Sequence, residues 1–489
     1  MYSRSTMNDA HILSTIGKIS SAQQTEAYVV GGFVRDAIMG RNQKKDIDVV
    51  VAGSGLEFAR AYLAYEGEEQ GRLIEFEDFD TARYVYIEEA EGEKTKVLFE
   101  VECAGARSES YRSESRKPVV EPATIEQDLS RRDFTCNAMA QKVHPDGSLG
   151  DVVDPYNGKE AIINKKLITP LDPDETFFDD PLRMLRAARF AAQLDFSIEE
   201  SVLLSMHKNR ERLSIVSAER VQEELMKLMG AKVPSIGLWL MHGAKLMDQC
   251  LPEVTELAGV EEVAGYTHKD NLSHTFAVVD GIAQQGGNAL LCFAGLMHDI
   301  AKPPTKKFAE GRGWTFDMHE HLGRKMCKDI MRKLRFSKND THFVSELVRW
   351  HLQPIALMDN GVTDSAVRRL FVNQGDSLDD LLTLCRADIT TGNQKKKVKR
   401  LKNYDELEKR IAEIREKDEL RAFQSPVRGE EIIEECGLKP GPTIGKIKKA
   451  IEEAILDGKV QNDYESASAY FEQIKSEFVA GAEEWEKLA

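Results

Sequence analysis

The 489-residue sequence lacks the cysteine spacing that a disulfide framework or a structural zinc site requires. Its seven cysteines are scattered, and no two of them form a CxxC pair. Disulfide-stabilised secreted domains and zinc modules both depend on such pairs. Both classes are therefore disfavoured. An ordinary globular protein is expected from a composition with 42% hydrophobic and 30% charged residues.

The sequence also has no apolar run of the ~20 residues that a membrane-spanning helix needs. The longest candidate, Ala289 to Met297, ends at His298 and Asp299. The N-terminal stretch MYSRSTMNDAHILSTIGK contains no apolar signal core. We therefore predict a cytoplasmic protein with no membrane partner.

An overall basic charge is missing as well, since the formal net charge is −16. Taken alone, this disfavours a nucleic-acid-binding protein, but phosphate binding depends on local charge. Two local basic segments are present, KPPTKK (302–307) and NQKKKVKR (393–400), and the second has five positive residues and no acid. Such runs are also common on solvated helix faces and linkers, so both interpretations stay open.

The pattern of the chain changes after about residue 155, which predicts an α+β multidomain protein. Tyr28–Val30, Asp46–Val51 and Lys96–Cys103 are rich in β-branched and aromatic residues and are predicted strands. From Thr176 onward the apolar spacing is helical. We predict an α/β head followed by helical regions, with domains at 1–155, 156–250, 251–392 and 393–489.

The stretch DIDVVV holds two aspartates, Asp46 and Asp48, whose side chains project from the same face of a strand. Two such close carboxylates repel each other unless a cation lies between them. Mg²⁺ commonly binds one or two protein carboxylates together with phosphate oxygens of a substrate. The pair therefore predicts a magnesium site.

Two glycines stand before this strand, at the start of the predicted helix FVRDAIMG. Gly31 and Gly32 would let backbone N–H groups approach a triphosphate closely. Arg35 would add positive charge there, or would pair with Asp36 or another acid. A third metal ligand is offered by Glu100 or Glu102 in VLFEVECAGAR, and the alternation of the strand alone does not choose between them.

The GGxVRD and DxD motifs resemble the nucleotidyltransferase superfamily that is related to DNA polymerase β. Three later segments resemble, in order, motifs of class II CCA-adding enzymes and bacterial poly(A) polymerases: EPATIEQDLSRRDFTCNAMA (121–140), DVVDPYNGKEAI (151–162) and FFDDPLRMLRAARFAAQLDF (177–196). The match spans roughly residues 25–230. It implies a polymerase-β-like head, a helical neck, and transfer of nucleotides from CTP and ATP to the 3′ end of tRNA.

The resemblance also assigns roles to residues of the head. The family's third carboxylate lies five residues before the arginine that matches Arg107, which favours Glu102. Catalysis by Mg²⁺ would then involve Asp46, Asp48 and Glu102. The triphosphate and sugar pocket would be lined by Arg131, Arg132, Asp133 and Asn137. The connector between head and neck would contain Asp154, and the segment between Phe76 and Lys94, predicted as a loop, would govern the switch from C to A.

Asp180 and Arg183 lie three apart at the predicted start of a helix, and are therefore expected to be neighbours on one face. An intrahelical salt bridge is one interpretation. Alternatively, the carboxylate accepts from the amino group of cytosine or adenine while the guanidinium donates to the ring nitrogen. The segment DDPLR (179–183) matches the family's acid-acid-x-x-arginine selector, with Asp in place of the usual first Glu, and favours the second interpretation. Arg186 and Arg189 would continue towards phosphate or RNA.

The C-terminal half contains a second group of candidate metal ligands. His274, His298, Asp299 and Asp388 resemble, in order, the H…HD…D quartet of HD phosphohydrolases. The extra histidines of some members are matched by His319 and His351. Imidazole and carboxylate together suit a transition metal such as Mn, Ni, Fe or Co. The resemblance implies hydrolysis of phosphates at RNA ends, with Lys302 on a phosphate; the alternative is a domain that only extends the tRNA-binding body.

The closing segment GLKPGPTIGKIKKAIEEAILDGK also resembles the family's C-terminal region, which predicts a tRNA-binding tail. The Pro-Gly-Pro turn precedes a helix whose exposed N-terminal amides are expected to face a phosphate. The predicted function is addition of C, C and A to tRNA. The alternatives are a poly(A) polymerase, a partial CC- or A-adding enzyme, an HD phosphohydrolase with an RNA-binding head, and a non-catalytic RNA-binding protein.

Overall fold

A computed structural model describes residues 9–41, 46–88, 96–112, 115–260, 262–263, 266–267, 270–358, 362–419 and 426–487. The chain forms two compact units. The first comprises Met1–Glu256 with Arg332–Phe336, and the second Leu257–Met331 with Ser337–Ala489. The boundary near residue 256 lies close to the predicted one at 250/251, and the finer division into four domains stays a prediction.

The first unit contains a mixed sheet with helices around it, as predicted for the head. Its strands are β1 Ala27–Val30, β2 Asp46–Val51, β3 Gly71–Phe76, β4 Thr81–Glu88, β5 Lys96–Gly105, β6 Arg107–Arg112, β7 Ser115–Pro122, β8 Ala140–Val143, β9 Leu149–Val153, β10 Lys166–Leu167 and β11 Ser197–Ile198. Its helices are α1 Asp9–Gln23, α2 Gly32–Ile38, α3 Gly55–Glu66, α4 Ile125–Ser130, α5 Gly158–Ile163, α6 Pro173–Asp179, α7 Leu182–Leu194, α8 Glu200–Asn209, α9 Ala218–Met229, α10 Ser235–Gly243, α11 Met247–Cys250 and α12 Pro252–Thr255.

The main sheet has seven strands in the order β3-β4-β5-β2-β1-β8-β9. Only β2 and β5 among its neighbouring strands run parallel, and their register places Asp46 opposite Glu100 and Asp48 opposite Glu102. The apolar residues Ile47 and Val49 to Val51 of β2 are buried in the core, whereas Asp46 and Asp48 reach the surface. The two predicted aspartates therefore stand at the open end of the central strand.

Two predictions for this unit are wrong in detail. Asp180 is not at the start of a helix: it lies between α6 and α7 in an extended conformation, because proline at position 181 disfavours a helical conformation at the residue before it. The segment between Phe76 and Lys94 is not a loop throughout. A 3-10 helix at Glu77–Phe79 and strand β4, with buried Tyr84 and Tyr86, occupy most of it; residues 89–95 lie outside the described part.

The second unit is predominantly helical, as predicted. Its helices are α13 Asn271–Gln284, α14 Ala289–Met297, α15 Lys302–Thr305, α16 His319–Lys333, α17 Lys338–Trp350, α18 Gln353–Ala356, α19 Asp364–Gln374, α20 Leu378–Ala387, α21 Gln394–Glu419, α22 Gly429–Cys436, α23 Pro442–Leu456 and α24 Tyr464–Ala480, and its short strands are β12 Glu262–Val263, β13 Tyr266–Thr267, β14 Lys307–Ala309 and β15 Gly313–Thr315. Helix α14 packs on α13 and α17, and α20 packs on α13. No helix of the described residues has both the length and the apolar character to cross a bilayer.

The predicted phosphate site at the start of α23 is not open. The carboxylate of Glu486 accepts hydrogen bonds there from the backbone N–H of Thr443 at 2.9 Å and from its hydroxyl at 2.8 Å. Glu486 is only 3% exposed, and a Cβ on Gly441 would lie 2.5 Å from its Oε1. An internal carboxylate thus takes the position that was expected for a phosphate.

Candidate active site

A cavity of about 540 Å³ opens above the centre of the head sheet, and the residues of the predicted nucleotide site line it. Positive side chains dominate its lining: Arg35, Arg107, Arg131, Arg132, Arg183, Arg186, Arg189, Arg220 and Lys227. The acids that line it are Asp46, Asp48, Glu102, Asp133 and Asp180, and Gly31, Gly32 and Asn137 line it as well. Every predicted residue of the head site therefore faces one cavity.

The carboxylates of Asp46, Asp48 and Glu102 share the floor of this cavity. Loss of hydration, and then the neighbouring Glu102 carboxylate, raise the pKa of Asp48 to about 6. Arg83 on β4 donates to Glu102 at 2.7 Å and pairs with Glu100 at 3.2 Å. A divalent cation fits this position, because the donor set consists of hard carboxylate oxygens and its negative charge is only partly compensated. Glu100 does not line the cavity.

The glycine turn brings the backbone close to these acids. Gly31 has a φ of 68°, in the left-handed region that favours glycine. A Cβ there would lie 3.1 Å from the Arg132 guanidinium. Arg35 pairs with Asp36 at 2.7 Å and donates to the Asn137 amide oxygen at 2.7 Å. Arg35 thus contributes charge to the cavity while it is held by partners on both sides.

The two arginines of the RRD motif are oriented by a carboxylate that the sequence analysis missed. Asp128 is fully buried and pairs with Arg131 at 2.7 Å and Arg132 at 3.1 Å. Burial alone would raise the pKa of Asp128, but the two guanidinium groups lower it. The spacing of three and four residues from Asp128 to the two arginines, which is that of helical neighbours, was the available signal.

A second missed carboxylate holds the arginines of α7. Glu224 on α9 is 4% exposed and pairs with Arg189 at 2.6 Å and with Arg186 at 3.8 Å. Arg186 also pairs with Asp133 at 2.6 Å. Against the effect of burial, Arg186 and the Asn137 amide lower the pKa of Asp133 to about 2. An acid among the buried positions of α9, beside Val221 and Leu225, was the sequence signal for Glu224.

The predicted base-selecting pair is present but is arranged differently from the expectation. Arg183 donates to the backbone carbonyls of Arg131 and Thr176. Asp180 accepts from the backbone N–H of Leu182 at 3.2 Å and from Arg220 on α9 at 3.2 Å. Both side chains face the cavity with fixed orientations, which is what recognition of a hydrogen-bonding pattern requires.

Asp154, predicted in the connector, caps helix α5. Its carboxylate accepts from the backbone N–H groups of Gly158 at 2.6 Å and Lys159 at 2.9 Å. This is a favourable position for an acid at a helix N-terminus. Its part in any movement of the head stays a prediction.

Glu224→Gln is expected to lower the free energy of unfolding by about 3 kcal/mol, because removing one partner leaves the buried Arg189 charge uncompensated. Urea denaturation would measure the change. Glu223→Gln is the matched control, since that neighbouring side chain is exposed. Equal stability of the two variants would show that the buried pair contributes little.

The second predicted cluster is also brought together, inside the second unit. It lies where helix ends converge: His298 and Asp299 follow α14, His351 follows α17, Asp388 follows α20, and His319 begins α16. His274, from the first turns of α13, completes it. The atoms of His274, His298 and Asp388 form one compact group, and those of Asp299, His319 and His351 form another.

The imidazole rings are oriented as metal ligands. The Nδ1–H groups of His298, His319 and His351 donate to backbone carbonyls at 2.7 to 2.8 Å. A carbonyl only accepts, so the proton must be on Nδ1 and the Nε2 atoms point inward. The Nε2 of His298 is buried without a hydrogen-bond partner. The Nδ1 of His274 lies 2.7 Å from the hydroxyl of Thr390, a group that can either donate or accept.

Asp299 stands at the centre of this cluster. Its Oδ2 lies 3.2 Å from His298 Nε2 and 3.4 Å from His274 Nε2, and its Oδ1 lies 3.4 Å from His319 Nε2. Ligand atoms about 2.1 Å from one ion are themselves roughly 3.0–3.4 Å apart. The residues therefore fit divalent ions: one would be held by His274, His298 and Asp388, and a second by Asp299, His319 and His351. Lys302, predicted on a phosphate, pairs with Asp299 at 2.5 Å.

The charges of the cluster are tightly linked. Burial alone would lower the pKa of His298, but the carboxylates of Asp299 and Asp388 raise it to about 10. Burial, and then the charge of His298, lower the pKa of His351 to about 4. These two imidazoles thus have pKa values that differ from that of free histidine in opposite directions, and such perturbed values are frequent at functional sites.

Three family models match the chain. The model described as the poly A polymerase head domain matches residues 27–168, and the one described as a probable RNA and SrmB-binding site of polymerase A matches residues 195–257. The model described as a putative tRNA nucleotidyltransferase domain 2 matches residues 310–470. The matches fall in both units.

The chain is also similar to individual proteins over most of its length. It is 30% identical over 347 residues to a CC-adding tRNA nucleotidyltransferase of Thermus thermophilus, which is 69% of this chain and 74% of that protein. It is 33% identical over 338 residues to a multifunctional CCA protein of Paraburkholderia phymatum, covering 65% and 75%. The fold matches the Thermotoga maritima CCA-adding enzyme complexed with tRNA, with TM-score 0.53 and 21% identity over 97% of this chain and 95% of that one.

Proposed function

The chain belongs to the family of CCA-adding tRNA nucleotidyltransferases and bacterial poly(A) polymerases, and on this premise we propose that it adds C, C and A to the 3′ end of tRNA without a nucleic-acid template. The observation that carries the proposal is the single cavity that combines three carboxylates, a set of oriented arginines and the Asp180–Arg183 pair. CTP and ATP are the proposed substrates and pyrophosphate the product. The proposed location is cytoplasmic.

Each group of cavity residues has a separate task. The glycine turn and Arg132 bind the triphosphate through donors that suit phosphate oxygens. Asp180 accepts from the exocyclic amino group of the base and Arg183 donates to its ring nitrogen, a pattern that uracil and guanine reverse. Mg²⁺ held by Asp46, Asp48 and Glu102 would supply activation of the RNA 3′-hydroxyl and stabilisation of the leaving pyrophosphate.

Three tRNA substrates test this proposal: one lacking CCA, one ending in C and one ending in CC. Each is given CTP, ATP or both with Mg²⁺, and the products are sized to one nucleotide. We expect extension of all three to CCA and no further. A long A ladder on unrelated RNA would identify a poly(A) polymerase. A partial activity would be identified by addition of A alone or by a stop at CC, which is the activity in the name of the Thermus relative.

A second function is favoured by the His–Asp cluster of the second unit. We propose a metal-dependent phosphohydrolase that acts on phosphates at RNA ends. Its carrying observation is the inward orientation of the histidine Nε2 atoms around Asp299. Transition metals such as Mn, Ni, Fe or Co suit this mixed imidazole and carboxylate set.

His319→Gln is expected to reduce the bound metal from two ions per chain to about one. Removing a group that only supports a ligand already weakens metal binding about 10–100-fold, and His319 would itself be a ligand. Elemental analysis after dialysis against Mn²⁺ measures the content. His321→Gln is the matched control: it lies on the same helix, 45% exposed and outside the cluster. Equal metal content in the two variants would refute the site, and addition of nucleotides to tRNA should persist in both.

A further inference from the structure

The carboxylate of Asp128 divides its two oxygens between the two arginines of the RRD motif. Its Oδ1 accepts from Nε and Nη2 of Arg131 at 3.1 and 2.7 Å, and its Oδ2 accepts from Nε and Nη2 of Arg132 at 3.3 and 3.1 Å. Asp128 is fully buried, whereas both arginine side chains are partly exposed. Two forked contacts to one buried carboxylate fix the plane of each guanidinium group.

The Asp128 carboxylate is itself held in place. Its helix α4 begins with a capping box, in which the Thr124 hydroxyl accepts from the backbone N–H of Gln127 and the Gln127 amide oxygen accepts from that of Thr124. Arg131, on the other oxygen, also donates from Nε to the carbonyl of Arg107 at 3.1 Å. The position of this carboxylate is therefore set by the helix and by one of its two arginines.

The other end of the Arg132 guanidinium points at a metal-binding acid. Its Nη1 lies 3.1 Å from the position that a Cβ on Gly31 would take, and Asp48 Oδ2 lies 3.7 Å from the same position. The two groups form no ion pair, and among the described residues Asp128 is the only acid that pairs with Arg132. Opposite charges at such a distance attract each other strongly where water is largely excluded, so Arg132 would pair with Asp48 if nothing held it.

An ion pair between Arg132 and Asp48 would impair the site in two ways. The guanidinium group would occupy the carboxylate oxygen that is available to a divalent cation. The donors of Arg132 would also be turned away from the backbone of Gly31, beside which they suit phosphate oxygens. The orientation of Arg132 therefore affects both the metal ion and the nucleotide.

We propose that Asp128 is a positioning residue that holds Arg132 away from Asp48. It thereby keeps the carboxylates of the head available to the metal ion and keeps Nη1 of Arg132 directed at the triphosphate. The proposal rests on the nucleotidyltransferase function proposed for the head and extends it to a residue that does not line the cavity.

Two double variants that remove the same charges test this role. Asp128→Asn combined with Arg131→Gln leaves Arg132 without its partner, whereas Asp128→Asn combined with Arg132→Gln removes the group that would close on Asp48. Each variant loses one buried acid and one arginine, so the net charge of the chain stays the same in both. A purely structural role of Asp128 would affect the two variants alike.

Metal binding at the head is measured on the full chain with Fe²⁺, ascorbate and hydrogen peroxide, which cleave the backbone next to a bound ion. Cleavage near residues 46–48 and cleavage at the His–Asp cluster give fragments of different sizes. In the Asp128→Asn/Arg131→Gln variant, the Fe²⁺ concentration for half-maximal cleavage at the head should rise about tenfold, the effect of losing a group that supports a metal site. In the Asp128→Asn/Arg132→Gln variant, it should stay within about threefold of the wild type.

Binding of CTP, measured by equilibrium dialysis, should be weaker than in the wild type for both double variants, because each loses the oriented donors of Arg132. Glu126→Gln is the matched control on the same helix, since this side chain is exposed, and it should behave like the wild type. Arg132→Gln alone keeps the buried pair of Asp128 and Arg131, and so tests the same point if the double variants do not fold. It should not raise the half-maximal Fe²⁺ concentration, and a rise would overturn the proposal.

The remaining outcomes separate the positioning role from the proposed function. Equal Fe²⁺ concentrations in the two double variants would overturn the positioning role. Absence of cleavage near residues 46–48 in the wild type would overturn it as well, because the acids would then bind no metal ion. The expected cleavage pattern, found together with a wild type that adds no nucleotides to tRNA, would support the role of Asp128 and overturn only the proposed function of the head.

Discussion

Replacing Glu102 with glutamine is expected to slow nucleotide addition about 10³-fold, because a metal ligand supplies several kcal/mol of transition-state stabilisation. Glu102 lies opposite Asp48 across the parallel pair of strands and faces the cavity. Single-turnover incorporation of CTP into tRNA lacking CCA, at saturating Mg²⁺, measures the change. Asp46→Ala and Asp48→Ala should have effects of the same order and leave the metal content of the His–Asp cluster intact.

Glu100→Gln is the control for this prediction, and it is closely matched. Glu100 lies on the same strand and the same face, two residues away, and also pairs with Arg83, but it does not line the cavity. We expect a rate within about threefold of the wild type, since loss of one half-exposed ion pair has a small effect. Equal losses in the two variants would assign the third ligand to neither residue, and a larger loss in Glu100→Gln would exchange their roles.

Replacing Arg183 with alanine is expected to reduce discrimination between CTP and UTP by about 10²-fold, because a hydrogen-bonding site rejects a wrong pattern by leaving buried polar groups unpaired. Arg183 is 9% exposed and is held by two carbonyls, so its donors have fixed directions. The KM for CTP should change less, because the triphosphate is bound by other arginines. The ratio of kcat/KM values for the two nucleotides measures the effect.

Arg212→Ala provides the comparison, since this arginine of the first unit donates to the carbonyl of Phe178 but does not line the cavity. It should leave the discrimination within about twofold of the wild type. If Arg183→Ala selects CTP as strictly as the wild type does, Arg183 is not part of the selector. If discrimination is retained while the KM for CTP rises strongly, Arg183 binds phosphate instead.

The strands of the head and its acid pair were predictable because period-two alternation and a DxD motif are local signals. The choice between Glu100 and Glu102 was not local: both residues share one face, and only the register with β2 places Glu102 beside Asp48. Here the resemblance to a family supplied the information that alternation lacked.

The errors have different physical causes, and contact between distant segments is one of them. Glu486 fills the N-terminus of α23 although more than forty residues separate it from Thr443, and no pattern near the Pro-Gly-Pro turn indicates it. The contact of Asp128 with Arg131 and Arg132 could have been predicted, since their spacing is that of helical neighbours. Asp180 was predicted at the start of a helix, and the following Pro181 was a local signal that it stands just before the first turn.

The parallel pairing of β2 with β5 also determines when the site can exist during synthesis. A nascent chain that has released β1 and β2 already contains Asp46 and Asp48, but their strand has an open edge until β5 follows the β3–β4 hairpin out of the ribosome. Non-local pairings of this kind form late, because the intervening chain must first be closed into a loop. The head therefore acquires its third carboxylate only when most of the sheet is translated, and an unfinished chain has no complete site in which to bind a metal ion.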